Sequence, residues 1–294
     1  MKYQIVINRQ LLGYGQFVTE GRDEVNTTII NGEERPFIFS SKLRAVERRT
    51  IMNKVRETLN VDCYLQTHDK SGDSGISGLC MSCPACWLFG GTYAPKTGNK
   101  TQVNERTKVN YSDAYPLQNI LIEDKTFNAV DEKKNTTGQA LGVNQIVGPG
   151  GNFINVVDIE TNNENWVKLI VWGIEHSNRY GGNVRIYGQM KNEILGIIKS
   201  DKLEVSSWEL VTRFKTIEEV KTYLNTFGTQ LDHSISGSDT MISILNNALE
   251  VKELQVRKNS ADSELKQKRA KKNKKEAEEN SEPKEEEQED NETV

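Results

Sequence analysis

The chain has 294 residues, of which 35% are hydrophobic, with a formal net charge of −4 and a mean hydropathy of −0.64. Residues 251–294 hold 11 basic and 13 acidic residues, so the rest of the chain has 27 basic and 29 acidic residues and is close to neutral. This balance excludes a broadly basic nucleic-acid-binding protein, and any basic surface must be local. No apolar stretch reaches about 18 residues and the first residues lack a signal-peptide pattern, so we expect a cytoplasmic protein.

The predicted elements begin with a short β-strand at Tyr3–Ile7, followed by a polar loop or hairpin over 13–34. A helix is predicted next, with Ser40 or Ser41 as its N-cap, because apolar residues recur every four positions over 51–59. This helix is the most basic segment outside the C-terminal tail.

The basic helix is a candidate phosphate-binding element. Its N-terminal N–H groups and Lys42 would face outward together, which suits an anion. A charged helical face is also often only a solvated surface, so both interpretations stay open on the residues alone.

Three of the four cysteines follow a C-x-x-C-x-x-C pattern at Cys80, Cys83 and Cys86, and Cys63 lies 17 residues upstream. Thiolates at this spacing converge on one ion, and tetrahedral zinc needs four ligands, so the sequence predicts a structural zinc site with Cys63 as the fourth ligand. His68 competes for that place, and a set of buried thiols without metal is the alternative. Four thiolates leave no open coordination position, which argues against a catalytic metal.

Other catalytic patterns are not found. The sequence lacks the H-x-E and P-C-x-x-C motifs of zinc deaminases, and its three histidines join no nucleophile motif. It also lacks a P-loop and a dinucleotide-binding fingerprint.

The second half of the chain predicts strands and helices in irregular order. Strands are predicted over 119–124, 152–160 and 166–175, a glycine-rich loop leading into a strand over 177–190, and amphipathic helices over 217–227 and 241–254. This order favours an α+β fold with an antiparallel sheet. From residue 255 the tail carries a basic block and then an acidic block, for which solvated disorder is predicted and an electrostatic arm is the alternative.

One acidic pair, Asp23 and Glu24, lies in the polar loop upstream of the basic helix. Such a pair is usually plain surface. If the helix holds a phosphodiester backbone, a carboxylate here could bind a metal beside a scissile phosphate.

Five sequence motifs in order resemble the repeat-associated RAMP superfamily, whose members are backbone subunits of CRISPR interference complexes. They are "GEERPFIFSSKLRAVER" (32–48), the cysteine knuckle running into "WLFG" (87–90), "KVNYSDAYP" (108–116), the thumb-like "FNAVDEKKNTTGQAL" (127–141) and the glycine-rich "SNRYGGNVRIYGQM" (177–190). The knuckle, the glycine-rich loop and the length are most similar to the type I-D backbone subunits.

The resemblance implies an RRM-like (ferredoxin-like) core over 1–254, with a zinc-stapled insertion at 61–91 and a protruding thumb hairpin at 123–150, followed by the charged tail 255–294. It implies that copies of the chain coat a guide RNA (crRNA) as a helical homo-oligomer and support its pairing with target DNA, or with target RNA. Further partners would be the large subunit, the cap subunit and the guide-processing endonuclease. The implied RNA contacts are Lys42, Arg44, Arg48, Arg49 and Arg179.

Two alternatives differ in chemistry. In type III relatives a loop aspartate upstream of the same helix cuts target RNA, and Asp23, with Glu24 in reserve, falls at about the matching separation. The chain could thus be a ruler nuclease, although a structural role without catalysis is the main expectation. The other alternative is a zinc-containing RNA-binding protein unrelated to CRISPR.

Overall fold

A computed structural model of the chain describes residues 1–19, 22–67, 76–93, 103–131, 133–134 and 136–279. The strands are β1 Lys2–Leu11, β2 Thr27–Ile30, β3 Glu33–Pro36, β4 Gln66–Thr67, β5 Ile76–Ser77, β6 Gly91–Tyr93, β7 Val103–Glu105, β8 Val109–Tyr111, β9 Tyr115–Pro116, β10 Ile122–Asp131, β11 Thr136–Val147, β12 Asn152–Glu160, β13 Met190–Ser200 and β14 Leu231–Asp232. The helices are α1 Ser40–Leu59, α2 Pro84–Phe89, α3 Glu164–Glu175, α4 Ser207–Arg213, α5 Ile217–Asn225, α6 Met241–Asn246 and α7 Leu249–Glu279.

The largest sheet has the strand order β14-β13-β1-β12-β8, with β9 also paired to β12, and all of its pairings are antiparallel. Helices α1 and α3 cover one face, and α4 and α5 cover the other. The expectation of mixed α and β structure around an antiparallel sheet is confirmed. Within the described ranges, no helix has both the length and the apolarity needed to cross a membrane.

Strand β1 is central and buried on both faces. Ile5 and Ile7 pack in the core that contains α1 and α3, whereas Val6 packs with α4 and α5. This alternation follows the two-residue period of a strand. The predicted strand at Tyr3–Ile7 is confirmed, and it extends to Leu11.

The prediction of a strand over 166–175 was wrong, because this segment forms helix α3. The side chain of Asn163 accepts a hydrogen bond from the Asn165 N–H and so caps the helix N-terminus. A mostly apolar run fits either a buried strand or a helix buried on most sides, and here the segment packs as a helix in one core with α1. A Cβ at Gly173 would lie 2.6 Å from Ile51 Cδ1, so this glycine allows α1 and α3 to pack closely.

The basic helix α1 is confirmed, but neither Ser40 nor Ser41 caps it. Phe39 occupies the N-cap position without a side-chain bond. Instead, the Asp113 carboxylate accepts from the Ser40 N–H at 2.7 Å, across 73 positions of sequence. A negative group already stands at this positive end of the helix, so the N-terminus is less free for a phosphate than the sequence suggested.

A separate two-stranded hairpin, β10 with β11, occupies most of the region identified as thumb-like. The polar stretch 13–34 contains β2, which pairs with β3. The glycine-rich segment 177–190 remains a loop until Met190, where β13 begins. No strand was predicted after residue 190, so nearly all of β13, which pairs with β1, was missed.

The C-terminal predictions need two corrections. The helix predicted over 241–254 is interrupted after Asn246, and α7 begins at Leu249. The prediction of disorder from residue 255 was wrong as far as Glu279, because α7 continues to that residue. The first half of α7 is held by contacts with the body of the protein. The composition of the tail, on which the prediction of disorder was based, contains no information about such contacts. Residues 280–294 lie outside the described residues.

Candidate metal centre and nucleic-acid interface

The four cysteines meet in one cluster, with every Sγ within 4.8 Å of the others. The Sγ of Cys63 lies 3.4 Å from that of Cys86 and 3.9 Å from that of Cys83. Since zinc–sulfur bonds of about 2.3 Å in a tetrahedron place sulfurs about 3.8 Å apart, the four side chains are close enough to hold a metal ion. The competing ligand, His68, lies outside the described residues.

The electrostatics of the cluster favour a bound cation. Hydrogen bonding within the cluster, from Cys63 first, lowers the pKa of Cys80. Hydrogen bonding to Cys63 and then to Cys80 raises the pKa of Cys83 and of Cys86. Hydrogen bonding to Cys80 raises the pKa of Cys63, but the bonds to Cys83 and Cys86 outweigh it and lower that pKa. Two thiolates are therefore favoured at the expense of the other two in this buried space, and a divalent cation is the group that would let all four ionise.

The knuckle has a tight backbone. Met81 is buried at φ +47°, in the left-handed region, and Pro84 begins α2. Gly90 ends this helix at φ +67°, and a Cβ there would lie 2.5 Å from the Glu105 carbonyl oxygen. Only glycine fits both that conformation and that approach, which explains the last letter of "WLFG".

Helix α2 connects the cysteine cluster to the basic helix. Arg44 Nη2 donates to the carbonyl oxygen of Phe89 at 2.7 Å, and its guanidinium stands 5.7 Å from the centre of the Phe89 ring. The Arg48 guanidinium lies 6.0 Å from the same ring. Burial, and then the charge of Arg48, lower the pKa of Arg44. The two cations thus repel each other at a spot where an anion would relieve the repulsion.

A groove of about 490 Å³ runs along α1 beside these arginines. It is lined by Ser41, Arg44, Ala45, Arg48, Arg49, Met52, Asn53, Arg56, Tyr64 and Leu65. We call it the arginine groove. Its floor is partly apolar and its walls carry four guanidiniums, a combination that suits phosphates and the sugars or bases attached to them. Arg48 Nη2 is buried and forms no hydrogen bond within the protein.

Two groove residues were missed in the sequence, Arg56 and Tyr64. Arg56 lies 4.0 Å from the centre of the Tyr64 ring and donates from Nε to the carbonyl oxygen of Cys63 at 2.9 Å. The spacing of Arg48, Met52 and Arg56, four residues apart on one helical face, was the available signal. Arg44 and Arg56 are thus both held by backbone carbonyls of the cysteine-bearing segments.

The predicted RNA contacts divide into three places. Arg44, Arg48 and Arg49 line the arginine groove, whereas Lys42, in the first turn of α1, does not. Arg179 is exposed in the glycine-rich loop, where Nη1 donates to the carbonyl oxygen of Val184 at 2.9 Å.

A further pair of aromatic rings, also missed, lies beside the glycine-rich loop. Lys125 Nζ stands 5.5 Å from the centre of the Tyr14 ring and 5.8 Å from that of Tyr187. Tyr14 accepts at its carbonyl oxygen from the Gly188 N–H at 2.7 Å, which joins the two loops.

The acidic pair Asp23 and Glu24 is exposed beside the hairpin. The Asp23 carbonyl oxygen accepts from the Gln145 N–H of β11 at 3.2 Å. In the described part of the chain, the four cysteines form the one group of three or more potential metal ligands, and neither acidic residue belongs to it. The nuclease role of Asp23 therefore stays a prediction.

Helix α1 is attached to the sheet by a buried ion pair. Arg9 Nη1 lies 2.7 Å from Glu47 Oε1, and both side chains are fully buried. Burial alone would lower the pKa of Arg9, but the Glu47 charge outweighs it and raises that pKa. The Tyr180 hydroxyl donates to Glu47 at 2.9 Å, so the glycine-rich loop is bonded to the same helix.

Comparisons with known proteins bear on this arrangement. A family model described as Csc2 CRISPR matches residues 2–289. No curated protein matches the sequence. Among solved structures, the crystal structure of Thermofilum pendens Csc2 is similar at a TM-score of 0.56 and 20% sequence identity, over 90% of this chain and 87% of that one. That likeness shows a common fold.

Two further solved chains are more distant. A CRISPR RNA-guided surveillance complex in a pre-nicking state matches at a TM-score of 0.47 and 12% identity, over 88% of this chain and 89% of that one. A second CRISPR RNA-guided surveillance complex matches at a TM-score of 0.46 and 14% identity, over 83% of this chain and 81% of that one. At these scores the two likenesses support no conclusion about this chain.

Proposed function

We propose, because the chain belongs to the Csc2 CRISPR family, that it binds the guide RNA of a type I-D-like complex as one of several copies along the strand. The family membership confirms the predicted relationship to RAMP-like CRISPR backbone subunits. The proposal extends this to binding of crRNA, support of its pairing with target nucleic acid, and contact with the large, cap and guide-processing subunits.

The arginine groove is the observation that carries the proposal. Four guanidiniums line it, Arg48 Nη2 is buried without an internal partner, and Arg44 and Arg48 repel each other. A phosphodiester backbone in the groove would supply the opposite charge. Contacts of this kind hold a strand without reading its bases, as a guide-holding subunit requires.

An RRM-like core is part of the proposal, and the strand order supports it. The elements β1, α1, β8, β12, α3 and β13 follow one another in the chain, and their strands lie in the order β13-β1-β12-β8. This order, with both helices on one face, is the one expected of a ferredoxin-like split βαβ unit, and it supports the proposal.

Zinc is the metal proposed for the cysteine cluster, with Cys63, Cys80, Cys83 and Cys86 as its ligands. Four thiolates are the donor set that zinc prefers in structural sites, and they leave no position for a substrate. The bound ion would fix the segments whose carbonyl groups hold Arg44 and Arg56. Elemental analysis of the purified protein should give one zinc per chain.

Binding of a mixed-sequence single-stranded RNA, measured over a range of salt concentrations, tests the proposal. In the double variant Arg48→Gln/Arg49→Gln, affinity should fall and the slope of log K against log salt should become shallower by about 1.4, or about 0.7 per lost phosphate contact. A control variant, Lys202→Gln/Lys215→Gln, removes the same charge from exposed positions elsewhere. Equal losses in the two variants, or unchanged binding in the first, would contradict the proposal.

A further inference from the structure

Helix α7 is anchored over its first half. Gln255 Nε2 donates to the carbonyl oxygen of Ser82 at 3.0 Å, and the Tyr93 hydroxyl donates to Asp262 Oδ1 at 2.9 Å. The helix then continues to Glu279, which lies about 25 Å further along its axis at 1.5 Å per residue.

The second half of this helix, residues 263–279, is here called the arm. Its segment 266–275, "KQKRAKKNKK", has seven basic residues and no acidic one. At 100° per residue these positions surround the helix axis and leave no apolar stripe with which to pack on the body. The described side chains of the segment are exposed, namely Lys266, Gln267, Ala270, Lys271 and Asn273.

The charge density of the basic segment 266–275 points to a partner; the rest of the arm adds the acidic residues Glu264, Glu276, Glu278 and Glu279 on either side of it. Ten helical residues span about 15 Å, so seven charges give about one positive charge per 2 Å. A nucleic-acid duplex carries about one negative charge per 1.7 Å, whereas one strand carries about one per 3.4 Å. We propose that the arm binds the phosphate backbone of a nucleic-acid duplex, independently of sequence.

The helical state of the arm also favours a polyanionic partner. Its basic residues recur at spacings of three and four, as in Lys268 with Lys271 and Lys272, where like charges destabilise a helix. Phosphates along a duplex would neutralise this repulsion. Binding of a duplex should therefore stabilise the helix of the arm.

The inference goes beyond guide-RNA binding, because it concerns a different surface and a double-stranded ligand. The basic residues of the arm belong to α7, whereas the residues that line the arginine groove fall between Ser41 and Leu65. The two activities can therefore be separated by mutation.

Two full-length charge-reversal variants provide the test. The arm variant is Lys266→Glu/Lys271→Glu, and the matched control, Lys202→Glu/Lys215→Glu, changes the net charge equally at exposed positions elsewhere. Binding of mixed-sequence duplex DNA, single-stranded RNA and a glutamate-rich peptide is measured against salt, with circular dichroism of each complex.

The arm variant should lose duplex affinity, with a salt slope shallower by about 2 because two phosphate contacts are lost at about 0.9 each. It should keep single-strand RNA binding, and the control should keep both. An equal loss of affinity for duplex DNA in the two variants would overturn the inference. So would an arm variant that loses peptide binding while its salt slope for duplex binding is unchanged. Loss of RNA binding in Arg48→Gln/Arg49→Gln with duplex binding retained supports separate surfaces, so failure of one proposal is distinguishable from failure of the other.

Discussion

Replacing Glu47 with Gln should destabilise the protein strongly, because it removes one charge of a fully buried pair. Arg9 and Glu47 are each 0% exposed and only 2.7 Å apart, so Arg9 would keep its charge in the core without the carboxylate. Removing one partner of such a pair costs about 3–5 kcal/mol. The expected effect is a lower free energy of unfolding and a loosened helix α1, which carries the arginine groove.

Urea denaturation followed by circular dichroism measures this cost. Glu57→Gln is the matched control, since Glu57 is exposed on the same helix and its loss should cost less than about 0.5 kcal/mol. The double variant Arg9→Met/Glu47→Leu should be less destabilised than Glu47→Gln, because it leaves no buried charge. A cost within about 1 kcal/mol of the control would refute the view that this pair anchors the helix.

Four other outcomes are expected. Tyr180→Phe should cost about 1.5–3 kcal/mol in urea denaturation, because its hydroxyl bonds to a buried charged pair, and a cost near zero would contradict this. Gly90→Ala should cost at least about 1 kcal/mol, since the backbone is at φ +67° and the new Cβ meets a carbonyl, and an unchanged midpoint would be inconsistent with that geometry. Burial raises the pKa of Glu105, but its bonds to Lys108 and Arg257 outweigh this and place that pKa below 4.5. Stability from this carboxylate is therefore present above about pH 4.5 and lost as pH falls below it, and Glu105→Gln should remove that part of a pH titration of stability. Removing metal with a chelator should weaken RNA binding as well as stability, and intact binding by metal-free protein would separate the cluster from the groove.

Local patterns in the sequence predicted much of the molecule. The spacing of the three knuckle cysteines, with Cys63 upstream, predicted a cluster that the structure shows. The strand over 152–160 and the basic helix were also predicted, because their apolar periodicity reflects which faces they bury. The ordered motifs predicted the family, which the match over 2–289 confirms.

What could not be predicted depends on contacts between distant segments. The apolar run 166–175 fits a strand or a helix until its neighbours are known. The cap of α1 comes from Asp113, and no local pattern connects that residue with Ser40. The groove depends on a nearer contact, in which Tyr64 packs against Arg56 after the helix has ended at Leu59, and no periodic pattern marks it.

The central claim is that guide-RNA phosphates lie in the arginine groove along α1. An experimental structure of the protein bound to guide RNA tests it directly. The claim predicts a phosphate oxygen within about 3 Å of the Arg48 guanidinium, with Arg44 on the same phosphate or its neighbour. RNA bound on another surface, with the groove free of phosphate, would contradict it.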